Sequence, residues 1–136
     1  MLHRSNPPVV PAPIGRYHHA VTVPAGTDLV FLAGQIGNHL DGRPVAEDAV
    51  DQARQAFANI AAIIGSLGGT PADIAKFTTL VVGQDGLTGF RTARDEVFAV
   101  WYPDGELPAN TLIMVAGLAS PEIVVEIEAV VALRHP

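Results

Sequence analysis

The stretch that decides the fold is the C-terminal quarter of the chain, Pro108–Leu133, with the sequence PANTLIMVAGLASPEIVVEIEAVVAL. Two apolar runs flank the residues GLASP at 117–121, which predicts two strands joined by a loop. The second run carries Glu126 and Glu128, and because strand side chains alternate, both carboxylates point to the same face. Charges are rarely buried on so apolar a segment. That face is therefore either solvated, or it lines a site or an interface.

The clearest helix lies in the first half of the chain. An apolar stripe with spacings of three and four residues predicts it, with Glu47 and Asp48 in its first turn and Gly68-Gly69 after its end. The stripe consists of Val50, Ala53, Phe57, Ile60, Ile64 and Leu67. A short capped turn is predicted at Thr70–Asp73, with Pro71 at the first helical position.

The remaining pattern predicts a strand at 18–23, a strand at 29–36, a strand at 77–82, a helix at 87–101 and strands at 110–115 and 123–133. The order β-β-α-β-α-β-β predicts an α+β two-layer sandwich with both helices on one face of a mixed sheet. The strands are apolar on both parities, while two helices cover only one sheet face. We therefore expect the second face to pack on neighbouring subunits. A hydrophobic content of 49% and a mean hydropathy of +0.30 agree with that expectation.

Length, charge and composition restrict the classes of function that this chain can have. A chain of 136 residues predicts one domain, 1–136, with an irregular Pro-rich lead-in at 1–13. A net charge of −6 with only 8 Lys and Arg argues against nucleic-acid binding. The absence of cysteine excludes disulfides and thiolate catalysis. No apolar run reaches the roughly 18 residues that span a bilayer, and the first residues lack the apolar core of a signal peptide. We expect a cytoplasmic protein without a membrane partner.

At this point the residues resemble the RidA (YjgF-type, reactive intermediate deaminase) family. The matching pieces lie in order along nearly the whole chain: residues 12–17 (APIGRY), 33–36 (AGQI), 52–55 (QARQ), 108–111 (PANT) and 125–129 (VEIEA). The resemblance implies a chorismate-mutase-like fold. It also implies a homotrimer whose sheets form a central barrel, with sites in the clefts between subunits.

The resemblance further implies hydrolysis of 2-imino or 2-amino-alkenoic acids to 2-keto acids and ammonia, the activity of a 2-iminobutanoate/2-iminopropanoate deaminase. It implies no metal and no organic cofactor. Glu126 matches the family's acid, so it is the predicted catalytic residue. The predicted substrate-binding residues are Tyr17, Gly34, Asn110, Thr111 and Leu112. Glu128 shares the face of Glu126 and is expected to be structural.

Asn110 departs from the family pattern, in which an arginine follows Pro-Ala directly. An asparagine donates hydrogen bonds but cannot form the bidentate ion pair of a guanidinium with a carboxylate. The usual 2-imino acid substrates are therefore in question, and we expect an altered substrate choice. Arg16 and Arg43 are the nearest candidate replacement cations, although no pattern puts them in the pocket.

Two other functions stay open. A non-catalytic trimer that binds small metabolites would use the same cleft, and ribonuclease activity, attached to some relatives, is disfavoured by the acidic charge. The histidines add no metal site to either. His18 and His19 are expected on opposite faces of a strand, where ligands cannot converge, and His39 is expected in a solvated loop with a chance of reaching the cleft.

Overall fold

A mixed four-stranded sheet carries both helices on one of its faces. The computed structural model describes residues 1–43 and 45–135; Pro44, which follows the predicted Asp41-Gly42 turn, lies outside them. The elements in chain order are β1 (His3–Ser5), β2 (Ala20–Thr22), β3 (Thr27–Gln35), α1 (Ala49–Ser66), a 3₁₀ turn (Pro71–Asp73), β4 (Ile74–Val82), α2 (Gly83–Trp101), β5 (Ala109–Val115) and β6 (Val125–Arg134). The predicted α+β two-layer architecture is confirmed.

The C-terminal strand lies inside the sheet, whose order is β3-β6-β4-β5. Strand β6 pairs antiparallel with β3 and β4, while β4 and β5 run parallel and are connected through α2. The central position satisfies the backbone hydrogen bonds of β6 on both of its edges. Its residues Val125, Ile127, Ala129 and Val131 are buried beneath the helices, and its other face is turned away from them.

Helix α1 begins at Ala49, so the prediction that Glu47 and Asp48 lie in its first turn is wrong. Asp48 is the N-cap, and its side chain accepts hydrogen bonds from the backbone N–H groups of Val50 and Asp51. Glu47 and Asp48 therefore precede the first turn, and Asp51 is the acidic residue within it. At the other end Gly68 adopts a φ of 83°, a left-handed conformation that glycine accommodates without strain.

The core between the helices and the sheet is aromatic at its centre. Phe57 of α1, Phe77 of β4, and Phe90 and Phe98 of α2 are each at most 2% exposed. Their ring centroids lie about 6 Å apart in stacked and edge-to-face pairs. The predicted stripe of α1 is buried except at its ends, since Val50 is only partly buried and Leu67 caps the helix at 49% exposure.

A small hairpin differs from the prediction. The predicted strand at 18–23 shortens to β2, and β2 pairs with β1 rather than with the main sheet. Strand β1 lies within the stretch predicted to be irregular. Leu2 packs there against Ala75 and Ala132, so the hairpin covers one end of the sheet face opposite the helices.

The rest of that opposite face, here called the outer face, is open. Leu29 and Phe31 of β3 are 50% and 74% exposed, and Ile113 of β5 is 40% exposed. These side chains alternate with residues that pack towards the helices, which agrees with the predicted second apolar face. Among the described residues no helix combines the length and apolarity required to cross a membrane.

Candidate functional site

A groove of about 610 Å³ lies where α2, β5 and the segment before β2 meet. This volume falls within the roughly 300–1,000 Å³ typical of small-molecule sites. Its lining residues are Ile14, Gly15, Tyr17, Leu87, Arg91, Arg94, Asn110, Thr111, Leu112 and Met114. Four of the predicted substrate-binding residues are therefore brought together here, although they come from distant parts of the chain.

His18 explains how Tyr17 comes to stand beside β5. Its backbone N–H donates to the carbonyl oxygen of Pro108 at 3.1 Å, and its Nδ1 lies 2.9 Å from the carbonyl oxygen of Leu107. A carbonyl only accepts, so Nδ1 carries the proton. These two bonds fasten the segment to the residues that lead into β5. The Tyr17 hydroxyl accepts a long bond from the backbone N–H of Ile14 at 3.4 Å.

Asn110 is oriented from beneath by a buried hydroxyl. Thr79 of β4 is fully buried, and its Oγ1 donates to Oδ1 of Asn110 at 3.1 Å. That bond engages the amide oxygen, and the Nδ2 donor makes no hydrogen bond to any described residue. Asn110 therefore offers the groove a neutral donor. Thr79 was not predicted, because only its register opposite Leu112 brings it next to Asn110.

Two arginines of α2 complete the wall that faces Asn110. Leu87, Arg91 and Arg94 are spaced by four and three residues and so share one helix face. The Arg94 side chain is only 12% exposed; its guanidinium lies 5.8 Å from the ring centre of Phe90, and its Nε and Nη2 both donate to Oδ1 of Asp95. Arg91 is exposed and makes no side-chain hydrogen bond or ion pair within the described residues. The sequence analysis missed both arginines.

Glu126 and Gly34 lie elsewhere, together on the outer face. A Cβ placed on Gly34 would approach Cδ of Glu126 to 2.7 Å, so the carboxylate rests directly over this glycine. Glu126 is half-buried and Glu128 exposed, and neither forms a hydrogen bond or ion pair with another described residue. The prediction that both glutamates share one face is confirmed by their alternation with the buried Val125 and Ile127.

One chain therefore does not bring all the predicted site residues together. Strand β4 separates β6 from β5, so Glu126 and Asn110 lie two strand spacings apart across the sheet, about 10 Å at ~4.8 Å per strand. Glu126 is level with Ile113 through Leu80, so Asn110 is also offset by three residues along β5, roughly a further 10 Å. Asn110 hydrogen-bonds to the core residue Thr79, whereas Glu126 projects from the outer face. The acid and the groove thus occupy opposite sides of the same sheet.

The other polar candidates have structural partners. His19 lies outside the strands. Its backbone N–H donates to Oδ1 of Asn6, and its Nε2 donates to the carbonyl oxygen of Pro11 at 2.7 Å. The expectation that His18 and His19 lie on opposite faces of a strand is wrong, because both precede β2. Arg16 is exposed and does not line the groove.

The loop after β3 holds the last pair of candidates. The backbone N–H and guanidinium of Arg43 bind Asp41 and keep the pKa of that carboxyl below its ordinary value. Nη2 of Arg43 also lies 3.3 Å from Nδ1 of His39. These contacts occupy Arg43 within its own loop. Within the described ranges, no group of three or more His, Asp or Glu side chains is arranged to hold a metal ion.

Comparison with known proteins identifies the family of this chain. The family described as Endoribonuclease L-PSP matches residues 8–133. A 2-iminobutanoate/2-iminopropanoate deaminase of Salmonella typhimurium is 34% identical over 126 residues, covering 91% of this chain and 92% of the relative. The chain belongs to this family, the RidA or YjgF-type proteins.

Solved structures give the same fold. YyfB of Yersinia pestis, from the conserved Rid protein family, superposes with a TM-score of 0.83 at 28% identity, covering 97% of this chain and 98% of that one. Escherichia coli TdcF with bound serine superposes with a TM-score of 0.67 at 27% identity, covering 92% and 93%. The predicted fold family is confirmed.

Proposed function

We propose that this protein is a hydrolytic deaminase of the RidA type, acting on small imine or enamine metabolites. The observation that carries the proposal is the carboxylate of Glu126, which has no hydrogen-bond or ion-pair partner among the described residues and is held over Gly34 on the outer face. The deaminase activity named for the Salmonella typhimurium relative supports the reaction class. Serine bound to TdcF supports a ligand of amino-acid size.

The complete site, in this proposal, forms between two copies of the chain. The outer face of one protomer supplies Glu126 and Gly34, and the groove of its neighbour supplies Tyr17, Asn110 and backbone groups of Thr111 and Leu112. The exposed apolar side chains of the outer face support association into a homotrimer with a central barrel.

The reaction requires a water molecule and one proton carrier. Glu126 takes a proton from water as the oxygen attacks the imine carbon, and it passes that proton to the imine nitrogen, which becomes an amine. The same carboxylate then takes the proton of the new hydroxyl group and delivers it to the amine, the carbon–nitrogen bond breaks, and ammonia leaves as the carbonyl forms. Hydrolysis of a 2-imino acid therefore yields a 2-keto acid and ammonia with no net proton change at Glu126.

Asn110 gives the groove a substrate preference of its own. Its Oδ1 is engaged by Thr79, so its Nδ2 offers a neutral hydrogen bond where the family pattern has a guanidinium. A neutral donor binds a carbonyl or carboxylate oxygen through one bond and supplies no charge. We propose an altered substrate choice for this reason.

The same observation favours a second candidate, a trimer that binds small metabolites without turning them over. Ribonuclease activity is the weakest candidate despite the description of the family. A net charge of −6 offers little attraction to a phosphate backbone.

Turnover measurements separate these candidates. Light scattering should first give a particle of three times 14.3 kDa. Wild-type protein is then given 2-iminobutanoate generated in situ, with ammonia and keto acid as the readout. Glu126→Gln should lower the rate by about 10²–10⁴, because Gln keeps the shape but cannot exchange a proton.

Glu128→Gln, on the same face, is the matched control and should retain most of the activity. Wild-type protein that binds the keto acid but releases no ammonia would favour the metabolite-binding candidate. A monomeric particle would remove the shared site, and full activity in Glu126→Gln would remove that residue from the mechanism.

A further inference from the structure

The groove holds two guanidinium groups that neither the family motif nor the reaction proposed above has assigned. Arg91 and Arg94 stand on α2 and line the same groove as Asn110. The chain contains only 8 Lys and Arg and carries a net charge of −6. No Asp or Glu lines the groove within the described residues. Arg94 is paired with Asp95, which does not line the groove, whereas Arg91 has no ion-pair partner among the described residues. These groups together leave the groove positively charged on an acidic protein.

Arg94 is held in place. Its side chain is only 12% exposed, and its position over Phe90 and its bonds to one oxygen of Asp95 fix the plane of the guanidinium. A partly desolvated cation attracts an anion more strongly than one in bulk water. Nε and Nη2 of Arg94 bind Asp95, and the Nη1 donor makes no hydrogen bond to a described residue.

Arg91 is free to move. It is exposed, one helical turn from Leu87, and has neither a hydrogen-bonding nor an ion-pair partner in the described part of the chain. A guanidinium presents its donors as a planar fork that matches a carboxylate. Arg91 is therefore available to bind a carboxylate in the groove that Asn110 also lines.

We propose that Arg91 and Arg94 bind the substrate's carboxylate, so that α2 supplies the cation that β5 lacks at Asn110. The inference rests on the proposed deaminase function and names its substrate class, small 2-imino acids with a free carboxylate. Asn110 then contributes one neutral hydrogen bond from the opposite wall, while the two arginines determine the preference for an anionic substrate.

Binding of a stable keto acid tests the arginines without requiring turnover. The probe is 2-oxobutanoate, with its neutral amide as the matched compound, titrated by calorimetry into full-length protein. Arg91→Gln and Arg94→Gln should each weaken binding of the acid by about 10-fold or more, the loss expected for a charge-assisted bidentate pair. Binding of the amide should change by less than about 3-fold, since it carries no charge.

Arg16→Gln is the control, because Arg16 is an exposed arginine near the groove that does not line it. Its binding constant should equal that of wild type. Arg94 is largely buried, so its variant is accepted only if the thermal midpoint and particle mass match wild type; Arg91 is exposed and decides the question alone. Equal binding of the acid by wild type and Arg91→Gln would overturn the proposal, as would no binding by wild type.

Steady-state kinetics separate this inference from the function on which it rests. The arginine variants should raise KM for 2-iminobutanoate while kcat changes by less than about 3-fold, the pattern of lost uniform binding. An unchanged KM with normal turnover would refute the arginines and leave the deaminase intact. Absent turnover combined with arginine-dependent binding of 2-oxobutanoate would refute the deaminase and support the anion site.

Discussion

Gln52 of α1 should be the polar side chain on which the position of β6 most depends. It is fully buried and makes three bonds to backbone groups. Its Nε2 donates to the carbonyl oxygens of Ala46 and Glu122, both at 2.7 Å, and its Oε1 accepts from the N–H of Val124 at 3.0 Å. One side chain thus joins α1 to the residues that lead into Val125 and Glu126.

The loss expected from Gln52→Leu follows from these three partners. Leucine has a similar volume, so the change leaves no large cavity. Each buried partner left unpaired costs about 1–3 kcal/mol. Since Glu122 is exposed and Ala46 and Val124 are only partly buried, water reaches some of these groups. The lower end of the range then applies, and we expect a loss of about 3–4 kcal/mol for the three groups together.

Urea unfolding measures this loss directly. With a denaturant dependence of about 1–3 kcal/mol per molar urea, the midpoint should fall by roughly 1–4 M at fixed protein concentration. Gln55→Leu is the control: Gln55 lies on the same helix but makes one bond, to Oδ1 of Asn59 at 2.9 Å, and should lose no more than about 1 kcal/mol. A Gln52→Leu midpoint equal to that of the control would refute the reasoning.

Two further changes test the outer face and the pH dependence. Gly34→Ala should displace the Glu126 carboxylate, because its Cδ lies 2.7 Å from the new Cβ. Turnover should fall by at least about 10-fold, within the range of general acid–base catalysis, while the strand stays folded. Gly65→Ala is the control, since Gly65 has open space around it and its variant should keep wild-type turnover; equal turnover in both variants would contradict the contact. Glu96 accepts two 2.8 Å hydrogen bonds from Arg54, and these hold the pKa of Glu96 below the ordinary value of 4.5. The ion pair therefore stabilises the fold above about pH 4.5, and this stabilisation disappears as the pH falls through the lowered pKa. Glu96→Gln should therefore lower the thermal midpoint at about pH 7 and differ less from wild type at about pH 3; a difference of the same size at both pH values would show that the ion pair is not its source.

Periodicity alone predicts the layered architecture. The spacing of Ala53, Phe57, Ile60 and Ile64 specifies which face of α1 is buried, because a helix repeats every 3.6 residues. Alternation in β6 likewise predicts that Glu126 and Glu128 share one face. Both patterns are local, so the chain carries them wherever the element is placed. Apolar residues on both parities of β6 also predict a second apolar face, and the structure of one chain leaves most of that outer face open.

Local patterns of this kind do not predict contacts between residues that are far apart in the sequence. Strand β1 is only three residues long, and it pairs with β2, which lies well over ten residues away in the sequence. Local propensity cannot predict such a pairing. His18 fastens Tyr17 to β5 through carbonyl groups of Leu107 and Pro108, and backbone carbonyls leave no trace in the sequence.

The candidate site divides in the same way. The resemblance to the family implied site roles for Glu126, Gly34, Tyr17 and Asn110, and the tertiary structure separates the first two from the others within one chain. Arg91 lines the groove because the parallel β4-α2-β5 connection packs α2 beside β5. The sequence by itself determined which faces of the helices and strands are apolar, because these faces depend on spacings within one element. Only the tertiary structure decided which of those residues meet, because packing of whole elements sets distances across the sheet.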